Sequence, residues 1–487
     1  MLLIKLGLKI LHLHLHGLIR SKDLELGRDP DTGGQTQYVL ELVKSLANTS
    51  EVEQVDLVTR LIKDKRVSLD YSQSNEFIEL GARILRFEFG PSKYLRKELL
   101  WPYLDQLTEH LLKFYSKPEN KLNWIHAHYA DAGYVGVKLS KYLNVPLVFT
   151  AHSLGREKQR RLIDAGLKPS QIEKSYCISK RIASEEEALK KASMIVTSTQ
   201  QESVHQYSAY NYYQILKSRV ICPGVDHKKF HHIHSTTETS DIDSIMSPFL
   251  VDPSKPPLLA ISRAVRRKNV PSLVEAFGRS EKLKKNNNLI LVLGCRENIS
   301  KLDSQQKDVF HQIFEIIDKY NLYGKVAYPK KHTPEQIPAI YRWAASRGGI
   351  FVNPALTEPF GLTLLEAASC GLPMVATNDG GPREIKLKCE NGLLADVTDL
   401  NKLKNTLEKA FSNKSQWKLW SRNGIEAVSR HFSWGSHVSN YLYNMCLEDQ
   451  TLSMLSSSGI KLSCLKGRSS LIKPHSSNTS ESEWIIS

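Results

Sequence analysis

Short apolar segments alternate along this chain with longer amphipathic ones. Segments 8–15, 54–59, 83–89, 124–127, 147–150 and 194–197 are rich in Leu, Ile, Val and aromatic residues and read as β-strands. Between them, 36–47, 101–115, 132–141 and 181–191 carry apolar residues at helical spacing. This alternation predicts a parallel sheet covered by helices. Ile221-Cys222-Pro223-Gly224-Val225-Asp226 then looks like a strand end followed by a turn. A polar stretch, 231–247, rich in His, Ser, Thr and Asp, reads as an interdomain connection or surface loop. Beyond it strands are expected at 258–262, 289–293, 326–328, 349–353 and 374–377, and helices at 271–277, 308–320, 337–345, 362–370 and 400–411. The expectation is an α/β protein of two Rossmann-like, doubly wound domains, residues 1–225 and 226–449, with ligands at the carboxyl ends of the strands. A last helical segment, around 434–446, is expected to cross back to the first domain. Residues 450–487 are Ser-rich, keep no steady apolar period and read as a disordered tail.

Composition narrows the class without choosing a substrate. At 487 residues the chain is too long for one core. No apolar run reaches the length of about 20 residues that a membrane span needs. The apolar N-terminus is interrupted by Lys5 and Lys9 and lacks a small-residue cleavage pattern, so it reads as a first strand rather than a signal peptide. The seven cysteines form no CxxC pair. That argues against a disulfide framework and a structural zinc site, and fits a reducing cytoplasm. A formal net charge of +15 favours anionic partners. The basic residues are dispersed and no nucleic-acid motif is present, so composition leaves nucleic acid, acidic membrane and phosphorylated metabolites open.

The strongest constellation is Thr357-Glu358-Pro359-Phe360-Gly361-Leu362-Thr363-Leu364-Leu365-Glu366-Ala367. A strand leads into a Pro/Gly turn and then a helix, whose first N–H groups and dipole make a site for an anion such as a diphosphate. Gly361 allows close backbone approach. Glu358 precedes the turn and can point across the site, while Glu366 lies about one helical turn in. Upstream, Arg263 to Lys268 follow an apolar strand, where basic residues suit phosphate neutralisation; a solvated basic loop is the alternative.

In the first half, Asp31-Thr32-Gly33-Gly34-Gln35 lies between a strand and a helix and offers a second backbone N–H pocket. It is not GxGxxG, and no acidic residue follows strand two suitably, so dinucleotide binding is rejected. Ala151-His152-Ser153-Leu154-Gly155-Arg156-Glu157-Lys158 follows another strand and forms a polar site, with a structural role for His152 as the alternative. Lys97 and Arg181 are further basic candidates that no local rule separates from surface charges. His12, His14 and His16 alternate on one strand face and read as strand histidines rather than as a metal site. Asp241-Ile242-Asp243 resembles a phosphatase opening but lacks a preceding apolar strand.

Taken together, the Glu358–Glu366 pair, the Arg263–Lys268 pair and the DTGGQ loop resemble retaining glycosyltransferases of family 4, which have the GT-B fold. Within that family, HSLGREK, KELLWPY and RIASEEEALKKAS are similar to sucrose-phosphate synthases. The resemblance covers residues 8 to about 445. It implies two domains facing across a cleft and a metal-independent transfer of glucose from UDP-glucose or ADP-glucose to fructose 6-phosphate. Arg263 and Lys268 would hold the diphosphate, and Glu366 the ribose hydroxyls. Glu358 would bind sugar hydroxyls and steady positive charge. Gly34, Phe360, Gly361, Leu362 and Thr363 would complete the donor site. Gly33, Gln35, Lys97, Lys158 and Arg181 would hold the acceptor, the last three near its phosphate, with His152 bridging donor and acceptor. No cofactor, nucleic acid or membrane partner is implied. Because many relatives carry a phosphatase-like domain and this sequence ends in the Ser-rich tail, a separate phosphatase is expected to act on the product. A sucrose synthase using free fructose, another family-4 acceptor and a non-catalytic sugar-nucleotide binder are the alternatives.

Overall fold

The computed structural model describes residues 7–233 and 239–448. The expected disordered tail, 450–487, lies outside the described residues. Eight strands form the first sheet: β1 (Leu8–Leu13), β2 (Val52–Arg60), β3 (Asn75–Glu79), β4 (Ala82–Phe87), β5 (Trp124–His128), β6 (Leu147–Thr150), β7 (Met194–Thr197) and β8 (Ser218–Val220). Their order is β3-β4-β2-β1-β5-β6-β7-β8. Six more form the second: β9 (Pro257–Ile261), β10 (Asn288–Val292), β11 (Val326–Ala327), β12 (Ile350–Asn353), β13 (Met374–Thr377) and β14 (Gly392–Ala395), in the order β11-β10-β9-β12-β13-β14. Every pairing is parallel except β3 with β4, which corrects the expectation of a wholly parallel first sheet. Phe77 on this edge strand is exposed, so its segment lacks the continuous apolar run that marks a central parallel strand.

The second sheet is covered on both faces, and its strand residues divide by parity. Leu259, Phe351, Met374 and Ala376 pack with the helices Gln336–Ser346 and Leu362–Ser369 on one side. Leu258, Val352 and Val375 pack with Val270–Gly278, Ser304–Lys319 and Leu400–Ala410 on the other. In the first sheet, Leu11, Leu13, Ile125, Ala127, Leu147 and Phe149 join one core with residues of Leu104–Tyr115 and Ala130–Leu143. Two-sided burial explains why these strands read as unbroken apolar runs.

The polar stretch at 231–247 is not all loop. Ser240–Met246 forms a helix that buries Ile242 and Met246. Asp243 accepts hydrogen bonds from Trp343 Nε1 at 2.8 Å and Arg347 Nη2 at 2.6 Å. Its two apolar anchors are too few to show as a period in the sequence. The helices Gly155–Asp164 and Pro169–Tyr176 were likewise not expected, because each buries a single residue and leaves no apolar stripe.

In each sheet the strand order reverses once, between β1 and β5 and between β9 and β12. Doubly wound sheets bind ligands at the carboxyl ends of the strands beside that reversal. Most candidate residues follow β1, β6, β9 and β12, at or next to those two places, whereas Lys97 follows β4 and Arg181 lies on the helix Ile178–Lys191.

Candidate active site

At the second reversal, Gly361 adopts φ 102° and caps the helix Leu362–Ser369. Such a φ strains any residue with a Cβ, and a Cβ here would also sit 2.8 Å from Leu364 Cδ1. The turn therefore aims the first N–H groups of the helix outward. Glu358 is fixed by two donors, Lys268 Nζ at 2.5 Å and Asn353 Nδ2 at 3.1 Å. The Lys268–Glu358 pair joins the turn after β9 to the turn after β12 and is nearly buried. Thr357 Oγ1 donates to Asp379 at 2.5 Å, which pins the same turn to the loop after β13. Half-buried Glu366 accepts from Tyr341 OH at 3.3 Å, and burial pushes its carboxyl up to about 7. Leu362 and Thr363 are partly exposed at the helix start. Phe360 turns its ring into the core near Phe432, which leaves its backbone as the part at the turn.

At the first reversal, the loop from Gly17 to Gly33 is knitted together. Thr32 Oγ1 donates to Asp29 Oδ2 at 2.8 Å and accepts from the Leu18 amide at 2.9 Å. Gln35 Nε2 pairs with His14 Nδ1 at 3.1 Å. A Cβ built on Gly33 or Gly34 meets nothing within 4 Å, so neither glycine is required by packing in the protein alone.

One cavity is lined by Lys97, Glu98, Trp101, Tyr129, Asp131, Lys158, Tyr176 and Arg181. It brings together three cations that lie far apart in sequence. Lys97 is ion-paired with Asp31, whose other oxygen accepts the Lys97 amide at 2.9 Å. Arg181 is buried, bonded through Nε to Glu185 at 2.9 Å and through Nη2 to Ser153 O at 2.6 Å, and stacks over Tyr129. Lys158 lies 3.6 Å from the centroid of the Tyr176 ring and has no carboxylate partner among the described residues. Burial, with Arg181 and Lys97 nearby, lowers its ammonium to about 8. Glu98 and Asp131 line the same cavity, and Glu98 and Asp31 favour the Lys158 charge from further off, so the cavity holds both signs with Lys158 in no ion pair among the described residues.

His152 follows β6 with φ 57°, in the left-handed region that a non-glycine residue rarely adopts. Burial pushes its imidazole down to about 3, so it is neutral at working pH. The two sheets' loops meet near these groups. Gln200 N donates to Glu384 Oε1 at 2.6 Å, and a Cβ on Gly27 would lie 3.9 Å from Arg263 Cδ. Tyr38 OH pairs with His437 Nε2 at 3.2 Å, and His437 Nδ1 with Cys222 O at 2.8 Å, so His437, near the start of the helix Trp434–Glu448, contacts the helix Gly34–Ala47. On the second sheet Lys268 and Glu358 are thus paired, with Arg263 in the turn after β9 and Glu366 bonded to Tyr341; on the first, Lys97, Lys158 and Arg181 line one cavity, and Gln35 is bonded to His14.

Residues 3–230 match the family "Sucrose synthase first GT-B domain", and residues 241–427 match "Glycosyl transferases group 1". The two matched domains lie in tandem, and the chain has the GT-B fold. Among curated relatives it is 38% identical to sucrose-phosphate synthase 4 of Arabidopsis thaliana over 90% of this chain and 47% of the relative. It is also 38% identical to a probable sucrose-phosphate synthase of Vicia faba over 89% of this chain and 47% of that protein. The chain therefore spans about half the length of the curated relatives it matches. A solved sucrose-phosphate synthase from Thermosynechococcus elongatus has the same fold, with a TM-score of 0.71, 24% identity and coverage of 90% of this chain and 99% of its own. Anabaena HepE, solved with UDP and glucose, shares the GT-B fold at a TM-score of 0.61 and 16% identity, over 91% of this chain and 100% of that one. Among the described residues no helix is long and apolar enough to cross a membrane.

Two predictions arise from this geometry. Gly34→Ala is expected to leave the melting temperature unchanged or slightly raised, since an alanine that fits reduces unfolded-state entropy by about 0.4–1 kcal/mol. On the expectation that this turn seats a substrate, the same methyl group should raise KM severalfold. Thermal unfolding and steady-state kinetics on one preparation check both halves. For Glu366, only the ionised carboxylate accepts two hydroxyl protons, and its pKa is raised to about 7. Sugar-nucleotide affinity should therefore fall as the pH drops from 7.5 to 5.5, and Glu366→Gln should flatten that dependence; a donor KM titration reads it.

Sequence reasoning did not single out Asn353, Tyr341 and Asp379, nor the counter-ions Asp31 and Glu185. Asp31 lay inside a motif that was noticed, but its partner Lys97 is 66 positions away and no local signal joins them.

Proposed function

We propose that the chain is a retaining glucosyltransferase that moves glucose from UDP-glucose or ADP-glucose onto fructose 6-phosphate, giving sucrose 6-phosphate. The observation that carries this reading is the cavity where Lys97, Lys158 and Arg181 converge, with Lys158 lacking a carboxylate partner among the described residues. An acceptor bearing a phosphate supplies the missing anion; free fructose does not. The names of the relatives support the same acceptor.

In this reading Arg263, Lys268 and the N–H groups after Gly361 hold the donor diphosphate, and Glu366 accepts the ribose hydroxyls. Glu358 holds sugar hydroxyls and stabilises positive charge developing at the anomeric carbon. Gly33 and Gln35 seat the fructosyl part, and neutral His152 hydrogen-bonds between the two sugars. The bond from the anomeric carbon to the diphosphate oxygen breaks, the acceptor oxygen forms its bond on the same face, and its proton passes to the departing diphosphate. Fixed cations and helix N–H groups lower this barrier by stabilising the leaving charge, a task that needs no metal ion.

The test incubates purified protein with UDP-glucose or ADP-glucose and either fructose or fructose 6-phosphate, with and without EDTA, and separates products by ion-exchange chromatography. Sucrose 6-phosphate formed equally well in EDTA is the expected result. Product from free fructose alone would remove the acceptor assignment, and strict dependence on added metal would remove the mechanism.

A further inference from the structure

Three imidazoles form a hydrogen-bonded row that runs from β1 to the turn after β6. His12, on β1, places Nδ1 at 2.9 Å from Nε2 of His128, at the end of β5. His128 Nδ1 in turn lies 3.0 Å from Nε2 of His152. His12 and His128 are fully buried. Burial holds all three rings neutral, so each carries one N–H and one bare nitrogen.

Two N–H···N bonds along three neutral rings permit only two arrangements. Either every ring is protonated at Nδ1 and the bonds run from His12 towards His152, or every ring is protonated at Nε2 and they run the other way. The inner end of the row, at His12, separates these cases. His12 Nε2 is buried and has no hydrogen-bond partner among the described residues. Running the row outward leaves a bare lone pair there; running it inward leaves an orphaned N–H. Buried N–H groups without an acceptor are the rarer defect in folded proteins.

The geometry points to His12 as a positioning residue that fixes His152 in its Nδ1–H tautomer, so that the His152 nitrogen outside the row is a donor and not an acceptor. A fixed donor suits a sugar hydroxyl or glycosidic oxygen, and it is set in place before substrate arrives. The surrounding rings hold the row by packing: His126 lies 3.9 Å from His128, and Tyr38 stands edge-on to His152 at 5.1 Å, centroid to centroid. His12, His126 and His128 also bring one ligand atom each within 4.8 Å of one another. His128 could ligate a metal ion there only through a nitrogen already bonded within the row, Nε2 to His12 or Nδ1 to His152.

The effect on turnover rests on the reading of His152 as a substrate contact; the tautomer does not, and is measured on the protein without substrate. Long-range ¹H–¹⁵N spectra of histidine-labelled full-length protein separate protonated from bare ring nitrogens, with the His152 signals identified by their loss in His152→Asn. His152 is expected to be protonated at Nδ1 in the wild type. His12→Asn keeps an amide donor near the Nδ1 position and should keep that tautomer, with kcat within twofold. His12→Leu removes the donor and should give a mixture of tautomers, with kcat about tenfold lower, the size of one ordinary hydrogen bond. A wild-type His152 protonated at Nε2, an unchanged tautomer in His12→Leu, or loss of the His12 and His128 signals' hydrogen-bonded pattern on adding stoichiometric zinc would each overturn the assignment. An altered tautomer with unchanged kcat would leave the relay standing and remove His152 from the substrate site.

Discussion

Replacing Lys268 by alanine is expected to lower kcat/KM for the sugar nucleotide by about 10²–10³-fold, the range lost when a preorganised charge-stabilising group is removed from an active site. In the protein alone this ammonium is bonded to Glu358, and the two side chains are 16% and 11% exposed. Deleting one member leaves the other desolvated with only part of its compensation, so a stability loss accompanies the substitution. The loss in catalysis separates from the loss in stability through the partner variant. Glu358→Gln keeps the hydrogen bond from Asn353 within reach and releases Lys268, so donor KM should hold or fall while kcat drops. Lys268→Ala should instead raise donor KM. If both substitutions move KM and kcat alike, the two residues act only as a structural pair.

The second large effect concerns the acceptor. Lys158→Ala is expected to raise KM for fructose 6-phosphate by roughly 10–100-fold, since a hydrogen bond to a charged group contributes about 1.5–3 kcal/mol. Donor KM should change little. The pH dependence follows from the lowered ammonium, at about 8. Because that pKa is depressed, the charge is present below pH 8 and lost above it. A sugar phosphate is a dianion above its second pKa of about 6. Acceptor KM should therefore be lowest between those two values and rise as the pH passes 8. In Lys158→Ala the alkaline rise should disappear. An alkaline limb that survives the substitution would assign it to another group and take Lys158 out of the phosphate site.

These two expectations draw on different kinds of information. The Thr357–Ala367 turn was legible because its parts are contiguous: a strand, a turn with Gly361 and a helix start follow one another within the reach of local rules. The parallel sheets were legible because two-sided burial demands long apolar runs. Edge strand β3 and the helix Ser240–Met246 were not, since each buries too little on any one face to leave a period.

The chain's own order of residues determined the two α/β halves, the helix starts that face anions and the residue types available at each strand end. Only the tertiary structure decided how those groups are paired. It tied Lys97 to Asp31, Arg181 to Glu185 and Lys268 to Glu358, leaving Lys158 over an aromatic ring in no ion pair among the described residues. It also turned the Phe360 ring into the core and lined up His12, His128 and His152 from three separate segments. The physical reason is that hydrophobic periodicity and turn chemistry act over a few residues. Charge compensation, desolvation and imidazole tautomers depend on distances in space, which are set only when strands far apart in sequence lie side by side.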